Sequence, residues 1–290
     1  MKLKIATCQF PIDSSPIKNA RTVEGQIESA KHQGAHVAHF PEGSLSGYVG
    51  RELKSNREID WERLIPATER VMECAKRNRI WVIVGSAHRL SGDHKPHNSL
   101  YIIDDSGTLV DRYDKRFCTG SSENSGDLKH YTPGDHLTVF TIRGLTCGAQ
   151  ICHDFRYQEL YREYKREGVV LMFHSYHNGN TTKDTLDRSG NIWGVIVPPT
   201  MQTYAANNYM WISANNTSRR ESSWPSFFVL PDGVISGRLQ RNRAGILISE
   251  IDTQMKYYDA SVAWRERVMS GVFNSGTLVK DRRSTERQTL

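Results

Sequence analysis

Residues 146–174, TCGAQICHDFRYQELYREYKREGVVLMFH, decide the fold class. A β-rich run ends at Ile151, a helical pattern covers Tyr157–Arg166, Gly168 punctuates it, and Val169–His174 forms a second apolar run. Strand, helix and strand in that order read as a βαβ unit, the building block of a parallel sheet with helical crossovers. Working outward, a helix is expected around Pro199–Tyr209 and a strand over Met210–Asn215. The chain opens with the same rhythm. A strand over Leu3–Phe10 leads to a helix over Lys18–Gln33, with Val23, Ile27 and Ala30 inward and Gly34 as its stop. A strand over Ala35–Phe40, a helix over Trp61–Arg77 and a β-branched strand over Ile80–Ala87 follow.

Hairpin signals interrupt the alternation. Asn98–Asp104 and Thr108–Tyr113 flank Asp-Ser-Gly, Leu137–Ile142 and Thr146–Ile151 flank Arg143-Gly144, and Ser226–Leu230 and Val234–Leu239 flank Pro231-Asp-Gly233. Ala244–Ile251 is the last strand of the series. Two similar halves, each a parallel core with antiparallel pairs appended, predict an α/β protein with two mixed sheets face to face and helices outside. No Gly-, Ser- or Pro-rich linker divides them, so residues 1–270 read as one domain and 271–290 as a polar tail at the surface or a subunit interface.

Composition narrows the function classes. The 290 residues carry 38 basic and 32 acidic side chains, a net charge of +6, but the basic residues come singly or in pairs such as Arg219-Arg220. Charge so dispersed does not make a nucleic-acid groove. The apolar runs are too short for a membrane-spanning helix, so no membrane partner is expected. Gln9, Pro11 and Asp13 interrupt the opening segment before it could serve as an export signal, and five cysteines are an odd number at low density. A reducing, cytoplasmic setting is the expectation.

Cysteine is the informative residue type. Cys8, Cys74 and Cys147 fall in predicted strands or helices and read as small core residues, while Cys118 lies in a polar loop. Cys152 is followed at once by His153-Asp154 and a helix. It is either a buried strand-end cysteine or a nucleophile at an elbow, where the amides opening a helix favour a thiolate and a developing oxyanion. Glu42, in Phe40-Pro-Glu-Gly43, and Lys115, in Tyr113-Asp-Lys-Arg116, also stand where strands run out, and sites in α/β sheets gather at strand ends. The pairs His94/His97 and His174/His177 lack the three or four converging ligands of a metal site, and no phosphate-binding glycine loop is present, so neither metal nor cofactor is expected.

Taken in order, Phe-Pro-Glu42, Asp-Lys115, Tyr131-Thr-Pro-Gly134-Asp135 and Gln-Ile-Cys152-His-Asp-Phe-Arg156 resemble the nitrilase superfamily of carbon–nitrogen hydrolases. Ile5-Ala-Thr-Cys-Gln9 and Pro231-Asp-Gly233 fit as well, extending the resemblance from about residue 3 to 255. It implies a four-layer α-β-β-α sandwich and covalent catalysis, with Glu42 as general base, Cys152 as nucleophile, and Lys115 and the His153 N–H on the oxyanion. It further implies a small linear amide or N-carbamoyl substrate, with nitrile hydrolysis or a non-catalytic scaffold as alternatives. A second acidic residue often follows the lysine in this family, and Glu123 is the only glutamate of the segment, with Asp127 nearer Pro133. Gln158 stands where proline is common. Arg156 is either a fork for a substrate carboxylate or the partner of Glu159 or Glu163 in a salt bridge. Tyr157, Tyr161 and Tyr164 on one short helix are more aromatic than a solvated helix needs, and the resemblance implies that this region packs against a second subunit, in a homodimer or higher homo-oligomer.

Overall fold

The computed structural model describes residues 1–288. Along it run β1 (Lys2–Gln9), α1 (Pro16–His32), β2 (Val37–His39), α2 (Trp61–Asn78), β3 (Trp81–His88), β4 (His97–Ile103), β5 (Leu109–Asp114), β6 (Val139–Ile142), β7 (Leu145–Ile151), α3 (Gln158–Arg166), β8 (Leu171–Ser175), α4 (Lys183–Arg188), α5 (Ile192–Asn208), β9 (Trp211–Asn215), β10 (Phe227–Val229), β11 (Ile235–Arg238), β12 (Gly245–Asp252), α6 (Arg265–Met269) and α7 (Arg282–Thr285). Two six-stranded sheets form, in the orders β12-β1-β2-β3-β4-β5 and β11-β10-β9-β8-β7-β6. In each, three consecutive parallel strands carry a hairpin on one side and a single antiparallel strand on the other. β12 returns across the whole chain to pair with β1, so the last strand of the series closes the first sheet.

Side-chain parity builds the layers, because successive residues of a strand face opposite sides. Leu3 and Ile5 of β1 join Val37, Ile83 and Ile102 against Cys147, Leu171, Phe173 and Phe228 of the other sheet, and this is the core between sheets. Ala6 and Cys8 face the other way, onto Val23 and Ile27 of α1 and Val71 and Cys74 of α2. On the far side, Tyr161 and Tyr164 of α3 and Val197, Met201 and Ala205 of α5 cover Met172, Ile212 and Ala214. The layering is the expected α-β-β-α sandwich.

Local chemistry sets the element ends. α1 starts two residues before the expected Lys18, with Pro16 in its first turn, where a missing N–H costs nothing. Asp60 caps α2 by accepting from the Arg63 N–H. Arg143 (φ 47°) and Gly144 (φ 78°) make the tight turn between β6 and β7. The helix expected around Pro199 begins instead at Ile192, and Pro198 and Pro199 lie inside it: a proline pair that reads as a start signal is accommodated within a helix already under way. The expected subunit-facing aromatics of α3 are corrected too. Tyr161 and Tyr164 are fully buried within their own chain, in the core under α5. Among the described residues no helix is long and apolar enough to cross a membrane. The tail beyond Ser270 is exposed over its described part, and its last two residues, 289 and 290, lie outside the described residues.

Candidate active site

The carboxyl ends of β2, β5, β7 and β8 converge, and each delivers one polar group. After β2 the chain turns through Phe40-Pro-Glu-Gly43, with Gly43 at φ 68°, and folds flat across Gly85 of β3. A Cβ on Gly85 would stand 2.3 Å from the Pro41 carbonyl oxygen and 2.5 Å from the Gly43 nitrogen, so only glycine lets this loop approach so closely. Glu42 is thereby buried with both oxygens engaged. Oε1 accepts from Lys115 Nζ at 3.0 Å and Asn98 Nδ2 at 2.7 Å, and Oε2 accepts from the His177 N–H at 2.7 Å.

Lys115 follows β5 directly and is fully buried. Its backbone carbonyl accepts from the Gly134 N–H, and a Cβ on Gly134 would collide with Asp114, which explains the glycine of the motif. Beyond Glu42, Nζ donates to Asp127 Oδ2 at 2.6 Å. Burial works against the ammonium, yet Asp127 and Glu42 outweigh it and hold Lys115 well above the ordinary lysine range. Asp127 is held in turn by the Thr119 N–H and the Tyr48 hydroxyl. Burial alone would raise its carboxyl, but the Lys115 ammonium and these donors bring it down to about 2.

Cys152 stands at the end of β7 with φ 45°, a left-handed conformation costly for a residue with a Cβ, and it opens a short 3-10 turn that runs into α3. The thiol lies within electrostatic reach of Glu42, Lys115 and Asp127 and beside the His177 N–H. Burial and the Glu42 charge push it well above its ordinary value, against the pull of Lys115, so the resting sulfur carries its proton. A buried thiol within electrostatic reach of a carboxylate and a locked ammonium has the groups that a nucleophile, a base and an electrostatic stabiliser require. Asp154 underpins the elbow: its carboxylate accepts from the Tyr113 hydroxyl, the Phe117 N–H and the Ile151 N–H. Among the described residues no group of three or more His, Cys, Asp and Glu side chains could hold a metal ion.

Glu42, Lys115 and Cys152, which the resemblance brings together, lie within electrostatic reach of one another. Glu123 does not join them. It is exposed and pairs with Lys95 at 2.6 Å, whereas Asp127, four residues on in a 3-10 turn, points inward. His153 is half-buried beside the nucleophile, its ring against Tyr157. Gln158 takes the first position of α3, a place proline also fits. Arg156 forms neither of the intrahelical salt bridges considered for it. Glu163 pairs with Arg116 instead, and the Arg156 guanidinium lies 4.8 Å from the Trp193 ring centroid and 5.0 Å from that of Phe155.

Residues 4–257 match the family model of the carbon-nitrogen hydrolases. The chain belongs to the carbon-nitrogen hydrolase family. It is 26% identical to the omega-amidase NIT2 of Bos taurus over 175 residues, 58% of this chain and 61% of that protein, so it spans about three fifths of that relative. To the chloroplastic omega-amidase of Arabidopsis thaliana it is 25% identical over 263 residues, 87% of this chain and 68% of that protein. The Nesterenkonia AN1 amidase of the nitrilase superfamily superposes with a TM-score of 0.72 at 19% identity, covering 87% of this chain and 91% of that one, which shows a shared fold. A further structure of that amidase carries the acetamide moiety of fluoroacetamide added covalently at its active-site cysteine.

Sequence reasoning missed four contributors of this carbon-nitrogen hydrolase: Tyr48, Asn98, His174 and His177. His177 lies 2.9 Å from Glu52 through Nε2 and stacks on Tyr48. A signal was available for the two histidines, since β8 is the parallel neighbour of β7 and its carboxyl end must open beside Cys152.

Proposed function

We propose that the protein hydrolyses the carbon–nitrogen bond of a small linear amide or N-carbamoyl compound through a thioester on Cys152. The observation that carries this reading is the Glu42 carboxylate, buried between Lys115 and the His177 N–H at the elbow that bears the thiol. Glu42 takes the thiol proton as sulfur attacks the substrate carbonyl carbon. The carbonyl π pair moves to oxygen, where the Lys115 ammonium and the His153 N–H receive it. Collapse expels ammonia or an amine with the proton from Glu42, leaving the thioester. Water, deprotonated by the same carboxylate, then releases the acid and restores the thiol. Asp127 keeps Lys115 charged throughout. The omega-amidase relatives support the same chemistry, and the cysteine of the superposed amidase, alkylated with the acetamide moiety of fluoroacetamide, supports a nucleophilic sulfur.

Arg156, stacked on Trp193 and Phe155 a turn beyond the nucleophile, is a fork for the carboxylate of an acidic amide or carbamoyl amino acid. Arg156→Lys should raise KM for acidic substrates and leave neutral amides unchanged; an equal loss on both would remove this role. The protein acts as a homodimer, with Tyr258, Val262, Trp264, Phe273, Leu278 and Val279, all exposed near the C-terminus, as the surface to be covered. Light scattering that shows only monomer would refute it. The five unpaired cysteines accord with a cytoplasmic setting. The activity is tested by assaying ammonia release across small amides and carbamoyl amino acids while following the intact mass by rapid quench. Ammonia and an acyl adduct from the unmutated protein, absent in Cys152→Ala, are expected; silence across the panel from a folded protein would overturn the reading.

A further inference from the structure

His174 is fully buried at the end of β8, and its ring is fixed on every side. It stacks on Tyr176 with centroids 4.4 Å apart and lies parallel to Tyr161 at 6.0 Å. Nε2 lies 3.1 Å from the carbonyl oxygen of Cys152, and Nδ1 lies 2.8 Å from the Tyr161 hydroxyl, which also contacts the Met201 sulfur. A carbonyl oxygen only accepts, so Nε2 carries the proton. Burial lowers the imidazole to about 3, so it is neutral and holds that one proton alone. Nδ1 is therefore bare and accepts from Tyr161. The tautomer is decided by its two neighbours.

The Cys152 carbonyl and the His153 N–H belong to a single planar peptide. A donor that grips the oxygen aims the N–H on the opposite side and, by polarising the amide, makes it a stronger donor. The grip also offsets the cost of holding Cys152 at φ 45°. We propose that the Tyr161–His174 relay is a positioning device for the oxyanion site: it orients and polarises the Cys152–His153 peptide from behind. This inference rests on the acyl-transfer reading above, and it assigns a role to a buried histidine that touches neither substrate nor thiol.

The test compares two reactions of one sulfur. Amide hydrolysis passes through an oxyanion, whereas alkylation of Cys152 by iodoacetamide displaces iodide at a saturated carbon and uses no oxyanion site. His174→Leu removes the donor, His174→Gln returns an amide N–H, and Tyr161→Phe keeps the ring packing but leaves Nδ1 without its partner. A lost oxyanion donor costs about 10²–10³ in rate; a loosened one should cost roughly 10–10². Expected are a fall of that size in kcat for His174→Leu, a smaller fall for Tyr161→Phe, KM and alkylation rate within about threefold of the unmutated protein, and recovery of most of kcat in His174→Gln. Equal losses in hydrolysis and alkylation, or unchanged kcat in Tyr161→Phe and His174→Leu, would overturn the relay. If His174→Leu does not fold, Tyr161→Phe and His174→Gln decide by the same criteria. An unmutated protein that forms no acyl-enzyme would instead remove the reading on which the relay rests.

Discussion

Replacing Gly85 by alanine should uncouple Glu42 from the thiol without changing either side chain. The added methyl would stand 2.3 Å from the Pro41 oxygen, 2.5 Å from the Gly43 nitrogen and 2.8 Å from the Glu42 Cα, all backbone atoms that no side-chain rotation can clear. Carbon contacts settle near 3.5 Å, so the loop must retreat by about 1 Å. Retreat strains the three bonds that fix the carboxylate, to Asn98, Lys115 and the His177 N–H. A displacement of about 1 Å at a reacting group can cost around 10²-fold in rate, and overpacking of this kind costs about 1–3 kcal/mol in stability. Gly25, inside α1, is the matched control, because a Cβ there meets nothing within 4 Å. Gly25→Ala should leave kcat unchanged and raise stability by up to about 1 kcal/mol through helix propensity. The assay is ammonia release on the best amide of the panel, with circular-dichroism melting alongside. A folded Gly85→Ala protein with kcat within threefold of the unmutated one would refute the claim that close approach over Gly85 sets the base.

Three further outcomes are expected. Asp127→Asn strips Lys115 of a carboxylate at 2.6 Å and leaves the ammonium buried with Glu42 as its remaining carboxylate partner, so urea unfolding should show a loss of about 3–5 kcal/mol, and kcat should fall at least roughly tenfold; a stability change under 1 kcal/mol would contradict the network. Asp154 has its carboxyl pushed by burial from 3.8 to about 6, so it holds its proton more tightly folded than unfolded; this contribution is full below about pH 4 and is lost as pH rises to about 6, so the stability of the unmutated protein relative to Asp154→Asn should decline on the order of 3 kcal/mol between pH 4 and 7, read by urea unfolding of both, while the buried His39 and His174 drive the opposite trend in each. Glu123→Ala should change kcat by less than twofold and stability by less than about 1 kcal/mol, since the pair with Lys95 is solvent-exposed; a tenfold loss of activity would put Glu123 back in the site.

The architecture was legible because it rests on periodicity, and the two βαβ halves with their hairpins follow from apolar spacing and turn residues alone. Helix starts were less legible: Pro198 and Pro199 punctuate the sequence but not the structure, since α5 is held by burial of Val197, Met201 and Ala205 regardless of two missing donors. Glu42, Lys115 and Cys152 could be named because each ends a strand and sits in a recognisable motif. Asp127 could not be chosen over Glu123 from spacing, because the choice is made by the 3-10 turn of residues 126–129 and by the Tyr48 hydroxyl, which reaches it from a loop 79 residues away.

The same reasoning explains why the two histidines were weighed only as metal ligands. His174 and His177 have the spacing of a helix face but fall at a strand end or in a loop, and the structure puts His174 in β8 and His177 two residues past it, where three residues' separation along extended chain turns them to opposite faces. One face turns back to the Cys152 carbonyl and α3, and the other turns toward Tyr48 and Glu52. β8 and the segment just past it reach the site twice: the His177 N–H donates to Glu42 and the His174 ring holds the Cys152 carbonyl. The residues that carry the chemistry announce themselves by type and position, while those that aim them are found only once the neighbouring strand is known.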